Sequence, residues 1–356
     1  MFVGHALLAF ALAATLARIL GWSPERSLSV GVVAGIFAAL PDVDMAYALL
    51  GVAGVGLADA LTLAQAFWAA GNVVHRAVTH SLVLAVPTAL AVALWVAGRR
   101  RGASPRADRR RGAGALLLSG GLVVVAGVES GPLGAAITVL FCGLALLVAG
   151  QVARRTDLSP AVVGLAAAVG LLSHPFGDLF TGQPPAMLYP LDATLFPARV
   201  TLNADPTLHL LSAFGVELAT VWLALVVWAR LRGVSLRDVA SPWAGVGTGY
   251  AAVLFLLPPP TLSVSYHFVF SVLAVGALGL APVVRRRGLF DRGGVGSDGP
   301  AQRLGVGSPF GVGTRPDGGR SPSVTARRTL LAAVVTGLSA VTLAWAAYGV
   351  AYLLTG

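Results

Sequence analysis

The sequence predicts an all-α protein, a polytopic transmembrane helical bundle of about ten spans. Three observations carry this. Hydrophobic residues fill 56% of 356 positions and charged residues only 11%, about half the charged share of soluble domains. The mean hydropathy is +0.81, and the apolar residues fall in runs approaching the roughly 20 residues that a bilayer core demands. The 25 basic residues are all Arg and cluster between those runs, as the loops that stay cytoplasmic do. No basic stripe is interleaved with aromatics, so nucleic acid is not an expected partner. The single Cys142 lies within an apolar run, which excludes a disulfide framework and reads as packing.

The first run, 6–20, lacks a basic segment before it and meets its first charge at Arg18. It is therefore expected to be an uncleaved span with its N-terminus outside. Further spans are expected at 28–40, 82–97, 113–128, 133–150, 161–172, 207–229, 243–257, 262–284 and 330–354. Between them, Gly51, Gly54 and Gly56 split 45–74 into two pieces too short to cross. That segment reads as a re-entrant hairpin or an interfacial one. The organisation expected is a motif-bearing core of 1–98 and 159–190, an Arg-rich loop with an inserted helical hairpin over 99–158, and additional helices over 191–284. A disordered Gly/Arg/Pro/Ser linker over 285–328 and a last span over 329–356 complete it.

Placing every arginine cluster on the cytoplasmic side alternates correctly through ten spans. The same assignment puts four polar segments at the opposite, outer end of their helices: His5, the Leu40–Asp44 turn, His75–Ser81 and Ser173–Asp178. Ionisable groups at membrane depth cost about 2.5 kcal/mol or more each, so a cluster of His and Asp there suggests a metal. His5 alone reads more simply as an interfacial residue, and Asp42 or Asp44 alone as a helix cap after Pro41. In His75–Ser81, Arg76 and His80 share a helical face while His75 is displaced by roughly 140°. Both imidazoles reach one centre only if the helix ends or distorts near Thr79. His174 and Asp178 lie at i, i+4, a workable spacing for two ligands of one ion, although Pro175 between them implies a kink. Asp205 and His209 repeat that spacing and are secondary candidates with Thr79. His267 reads as interfacial.

These residues resemble the YdjM-like family of membrane-bound metal-dependent hydrolases. The shared pattern is Gly4-His5, Leu-Pro-Asp-x-Asp at Leu40 to Asp44, His-Arg-x-x-Thr-His-Ser at His75 to Ser81, and Ser-His-x-x-x-Asp-x-x-Thr at Ser173 to Thr181. The resemblance covers the chain up to about Pro190, minus the 99–157 insertion. It departs at Met45, where the family usually has a histidine, and at Ala77, where it has a glycine. A more distant similarity to zinc-dependent phospholipases C and single-strand nucleases implies phosphoester hydrolysis.

The resemblance implies a divalent metal, zinc first and manganese or magnesium next, held by His5, Asp42, Asp44, His80, His174 and Asp178. His75, Arg76 and Asp44 are the expected catalytic groups: His75 to orient a ligand or protonate the leaving group, Arg76 to hold an anion, Asp44 or Asp42 to take a proton from water. The expected partners are membrane lipid and an ester or phosphoester, the expected location a multi-pass plasma-membrane protein with its site near the outer face. The alternatives are a transporter of protons or metal ions using the same cluster, and a non-catalytic membrane scaffold.

Overall fold

A computed structural model describes residues 2–71, 76–100, 104–286 and 324–355. Every regular element among them is helical and none is a strand. Ten α-helices follow in chain order: α1 (Phe2–Ile19), α2 (Pro24–Ala39), α3 (Ala48–Val55), α4 (Ala60–Gly71), α5 (Leu82–Arg99), α6 (Pro105–Arg155), α7 (Pro160–Gly177), α8 (Pro206–Arg232), α9 (Tyr266–Arg286) and α10 (Val324–Thr355). Short 3₁₀ segments, Pro41–Tyr47, Val78–His80 and Asp178–Phe180, join the helices that carry the polar motifs.

Five helical segments begin in the same way. Ser23, Ser104, Ser159, Asp205 and Ser241 each precede a proline at the first helical position, and each side-chain oxygen accepts a backbone N–H of the first turn. Proline needs no N–H there and its fixed φ suits the helix, while the cap satisfies a donor that the helix cannot.

Among the described residues, seven helical segments are both long and apolar enough to cross a bilayer. The difference from about ten has local causes. The expected runs 113–128 and 133–150 fall within α6, which reverses direction at Gly131 (φ 68°, ψ −167°) followed by Pro132. Ala115 packs with Leu146 and the Cys142 thiol meets Ser119, whereas a straight helix would hold Ala115 about 46 Å from Leu146. The run 243–257 is a 3₁₀ helix of 14 residues, Pro242–Phe255, and the stretch Val3–Ile19 of α1 is shorter than any of the seven. The Arg-rich loop also shrinks: Arg106 to Arg111 lie in the first turns of α6.

The chain divides into two compact units, Met1–Val234 with Pro260–Ser263, and Ser235–Pro259 with Val264–Gly356. The first therefore includes α8, which was expected among the added helices after 190. Its core is rich in alanine, with Ala9, Ala13, Ala34, Ala38, Ala89, Ala166 and Ala167 all buried among Val33, Phe37, Val92 and Val163. Lipid supplies no hydrophobic drive between helices, so small side chains that let backbones approach hold such bundles together. Gly170 on α7 shows how close: a Cβ there would collide with the Ala34 carbonyl and the Ala38 nitrogen of α2. The second unit packs Pro242–Phe255 against α9 and α10, around the rings of Tyr250, Phe268 and Tyr348. Most of the expected linker, residues 287–323, and the expected site residue His75 lie outside the described residues.

Candidate metal centre

Four segments of the first unit meet at one end of α1, α2 and α7. Pro41 stops α2, and the tighter 3₁₀ segment Pro41–Tyr47 that follows carries Asp42 and Asp44. The Val78–His80 segment, capped by Ser81 at the start of α5, carries Thr79 and His80. His174 sits in the last turn of α7, which runs through Pro175 to Gly177, and Asp178 opens the next 3₁₀ turn. His5 comes from the first turn of α1 and lies over Gly177, where any Cβ would strike its ring. His5, Asp44, Thr79, His80, His174 and Asp178 are all buried, and Asp42 is 10% exposed.

The donor atoms converge. His80 Nε2 lies 3.0 Å from His174 Nε2, 3.2 Å from Asp178 Oδ2 and 3.8 Å from Asp42 Oδ1. His174 Nε2 lies 3.5 Å from Asp42 Oδ1 and 3.7 Å from Asp178 Oδ2. His5 Nε2 reaches Asp178 Oδ1 at 3.3 Å, and its ring stacks on that of His174 at 4.1 Å. Two overlapping triads, His5/Asp42/His174 and His80/His174/Asp178, each place their ligand atoms within 4.8 Å of one another.

The outer bonds fix the ring tautomers. His174 Nδ1 lies 2.7 Å from the Ala38 carbonyl oxygen, which only accepts, so Nδ1 carries the proton and Nε2 presents a lone pair. The Thr79 hydroxyl donates to Asp44 Oδ2 at 2.7 Å. Having given its one proton there, Thr79 Oγ1 accepts from His80 Nδ1 at 2.9 Å, with Asp44 Oδ2 3.4 Å from the same nitrogen. The second neutral ring thus also turns a lone pair inward. Two lone pairs 3.0 Å apart repel unless a cation lies between or beside them.

A proton is one such cation. Burial disfavours charge on His80, but the carboxylates of Asp178 and Asp44 outweigh it and raise the pKa from 6.5 to about 9. A divalent ion is the other, and the residues fit one. Asp42 Oδ2 and Asp178 Oδ2 are buried and accept no hydrogen bond, although each of these carboxylates lies beside the facing imidazoles. The separations of 3.0 to 3.8 Å among the N and O atoms bracket the roughly 3.3 Å edge of a tetrahedron with bonds of about 2.05 Å. Imidazole Nδ1–H groups bonded to a carbonyl and to a hydroxyl–carboxylate pair are the outer partners that metal-binding histidines use.

Arg76 is held beside the cluster at φ 71°, the left-handed region that an arginine rarely occupies. Its backbone N–H donates to Asp44 Oδ2 at 3.3 Å, Nη2 to Asp178 Oδ1 at 3.3 Å and Nη1 to the Gln183 carbonyl at 2.7 Å. Gly182 lies flat against the guanidinium, where a Cβ would overlap Nη1. The segment after Asp178 is tied down by backbone bonds from Ala186 to the Arg76 carbonyl and from Leu82 to that of Met187. Arg76 therefore positions Asp178, and its buried Nε–H is left without an acceptor.

The structure thus brings together His5, Asp42, Asp44, Arg76, Thr79, His80, His174 and Asp178. Asp205 instead caps α8 by accepting from the Leu208 N–H at 2.8 Å, and His209 Nδ1 accepts from the Leu202 N–H at 3.1 Å. Neither belongs to the two triads found among the described residues. Sequence reasoning missed the Ala38 and Gln183 carbonyls, which no side-chain pattern announces, and Gly182, whose position next to Thr181 was its only signal.

Fold and site define a polytopic helical membrane protein with a His/Asp cluster buried at one end of its bundle. The chain belongs to the YdjM inner membrane protein family, which it matches over residues 1–244. That match extends past Pro190 and through the α6 hairpin. No curated protein and no solved structure matches it.

Proposed function

We propose that this protein is a multi-pass plasma-membrane hydrolase that acts on an ester or phosphoester at the outer boundary of the bilayer. The observation that carries the reading is the pair of imidazole Nε2 atoms 3.0 Å apart beside the Asp42 and Asp178 carboxylates, each of which has a buried oxygen that accepts no hydrogen bond. His80, His174, Asp42 and Asp178 would hold a divalent ion, zinc before manganese or magnesium, with His5 adjoining. Such an ion supplies Lewis acidity and lowers the pKa of a bound water.

The chain's own groups do the rest. Thr79 and the Ala38 carbonyl orient the two imidazoles. Arg76 Nη2 holds the Asp178 carboxylate and offsets part of the cluster's negative charge, while its Nε–H is free to meet an anionic substrate oxygen. Asp42, partly exposed and with its Oδ2 unpartnered, is placed to accept a proton from the attacking water. A transport role finds less support, because the buried faces of α2, α5 and α7 away from the cluster carry no ionisable side chain.

The test is to purify the protein in detergent, quantify bound metal by mass spectrometry, and assay phosphate monoesters, phosphodiesters and carboxylic esters. His174→Ala should lose both metal and turnover, and Asp42→Asn, which removes a ligand carboxylate together with the base, should weaken metal binding and lower turnover by about 100-fold or more. A protein that takes up neither zinc nor manganese would end this reading.

A further inference from the structure

Between Ala48 and Gly71 the chain makes a detour that supplies no residue to the cluster. α3 has 8 residues and α4 has 12, so at 1.5 Å per residue they are about 12 and 18 Å long, well short of the roughly 30 Å bilayer core. They pair closely, for a Cβ on Gly51 would strike the Ala66 carbonyl and the Ala70 side chain. Both helices also pack against the 3₁₀ segment that bears Asp42 and Asp44, so the hairpin starts at the level of the cluster.

Its surface poses a problem. Leu49, Leu50 and Val55 are exposed, and Leu57 at the turn is exposed completely. The only charged residue from Ala48 to Gly71 is Asp59, also exposed and also at the turn. There its carboxylate caps α4, accepting from the Thr62 N–H at 3.1 Å and the Thr62 hydroxyl at 2.6 Å.

Those two facts leave one placement. A hairpin diving from the cluster into the membrane would carry Asp59 about 12 Å inward, close to the bilayer centre, where a carboxylate is disfavoured most. One rising into water would leave a contiguous leucine surface uncovered. We propose that the α3–α4 hairpin lies flat in the headgroup–acyl boundary on the side of the membrane that holds the His/Asp cluster, with Leu49, Leu50 and Leu57 against lipid chains. A pair lying in that plane buries its leucines against the acyl chains and keeps Asp59 among the headgroups. The occupant of the leucine face is bilayer lipid. Where the protein acts as a hydrolase, this makes a membrane lipid with an anionic ester head the substrate class, since its head would lie level with Arg76. That consequence rests on the function proposed above; the placement does not.

The test measures depth and needs no turnover. In a Cys142→Ala background, which removes the one native cysteine, Leu50→Cys and Leu57→Cys would each carry an environment-sensitive fluorophore. Leu140→Cys, on an exposed side chain near the middle of the second limb of α6, gives the deep reference. The full chain is reconstituted in phosphatidylcholine–phosphatidylglycerol vesicles and quenched by lipids bearing a nitroxide near the headgroup, by lipids bearing it at the chain end, and by aqueous iodide. At residues 50 and 57 the shallow nitroxide should quench several-fold more than either other agent, and at 140 the chain-end nitroxide should dominate. Iodide dominating at 50 and 57 overturns the proposal in favour of a water-exposed hairpin. Chain-end quenching dominating there overturns it in favour of a diving one, and protection from all three overturns it by showing that protein, not lipid, covers the face.

Discussion

A proton on His80 and a metal ion compete for one lone pair. His80 has its folded pKa raised from 6.5 to about 9, so its charged form stabilises the metal-free fold fully below pH 6.5, and that contribution is lost as pH rises through 9. Coordination needs the neutral ring, so the sign for metal is opposite: apparent affinity should climb as pH rises from 6.5 to about 9, by up to about tenfold per unit, with a proton released on binding. Chelator competition at several pH values reads this directly, and an affinity flat between about pH 7 and 9 would show that no proton leaves His80 when metal binds. Thr79 should matter through the same ring. Thr79→Val deletes the hydroxyl that bridges Asp44 to His80 Nδ1, and loss of such an outer partner typically costs roughly 10- to 100-fold in metal affinity; unchanged affinity would show that Asp44 orients the ring unaided. The histidines and aspartates of this cluster were legible in the sequence because ionisable residues stand out against apolar runs. Their tautomers were not, since these depend on a carbonyl of α2 and on a hydroxyl's single proton.

At the scale of elements, the contact of α7 with α2 links packing to chemistry. Gly170 lets α7 approach the backbone of Ala34 and Ala38, and one turn further on His174 Nδ1 donates to the Ala38 carbonyl. Gly170→Leu should therefore force the helices apart and lower both melting temperature and metal affinity. Gly143→Leu, on α6 where an added Cβ would meet nothing within 4 Å, should change neither. Equal effects at the two sites, measured by thermal unfolding and metal titration, would deny that the α2–α7 approach sets the site. Element positions were largely readable from apolar run length and from the Ser-Pro and Asp-Pro starts. The runs 113–128 and 133–150 already read as a helical hairpin; what run length does not give is how tight its turn is, with only Gly131 leaving helical φ/ψ before Pro132. The arginines before Gly112 were read as loop because charge usually marks one, yet the Ser104 cap and Pro105 begin a helix there.

At the scale of the whole molecule, every described residue of the cluster falls within the first compact unit. Every residue that the structure brings to the cluster lies between His5 and Gln183, the unit's main stretch runs to Val234 with only Pro260–Ser263 beyond it, and the family match ends at residue 244. The second unit has its own packing, with Tyr250 bonded to Ser271 and its ring against Phe268 and Tyr348, and it contributes no residue to either triad. Metal binding should then survive removal of everything after residue 244. A chain of residues 1–244, expressed in membranes and purified in detergent, should hold metal with the stoichiometry of the full protein and within about threefold of its affinity, a difference below about 1 kcal/mol. Loss of metal from a chain that still elutes as a monodisperse species would mean that the later helices shape the centre. Retention would separate the roles along the sequence: α1 to α8 build the cluster, and the remaining helices serve something other than coordination.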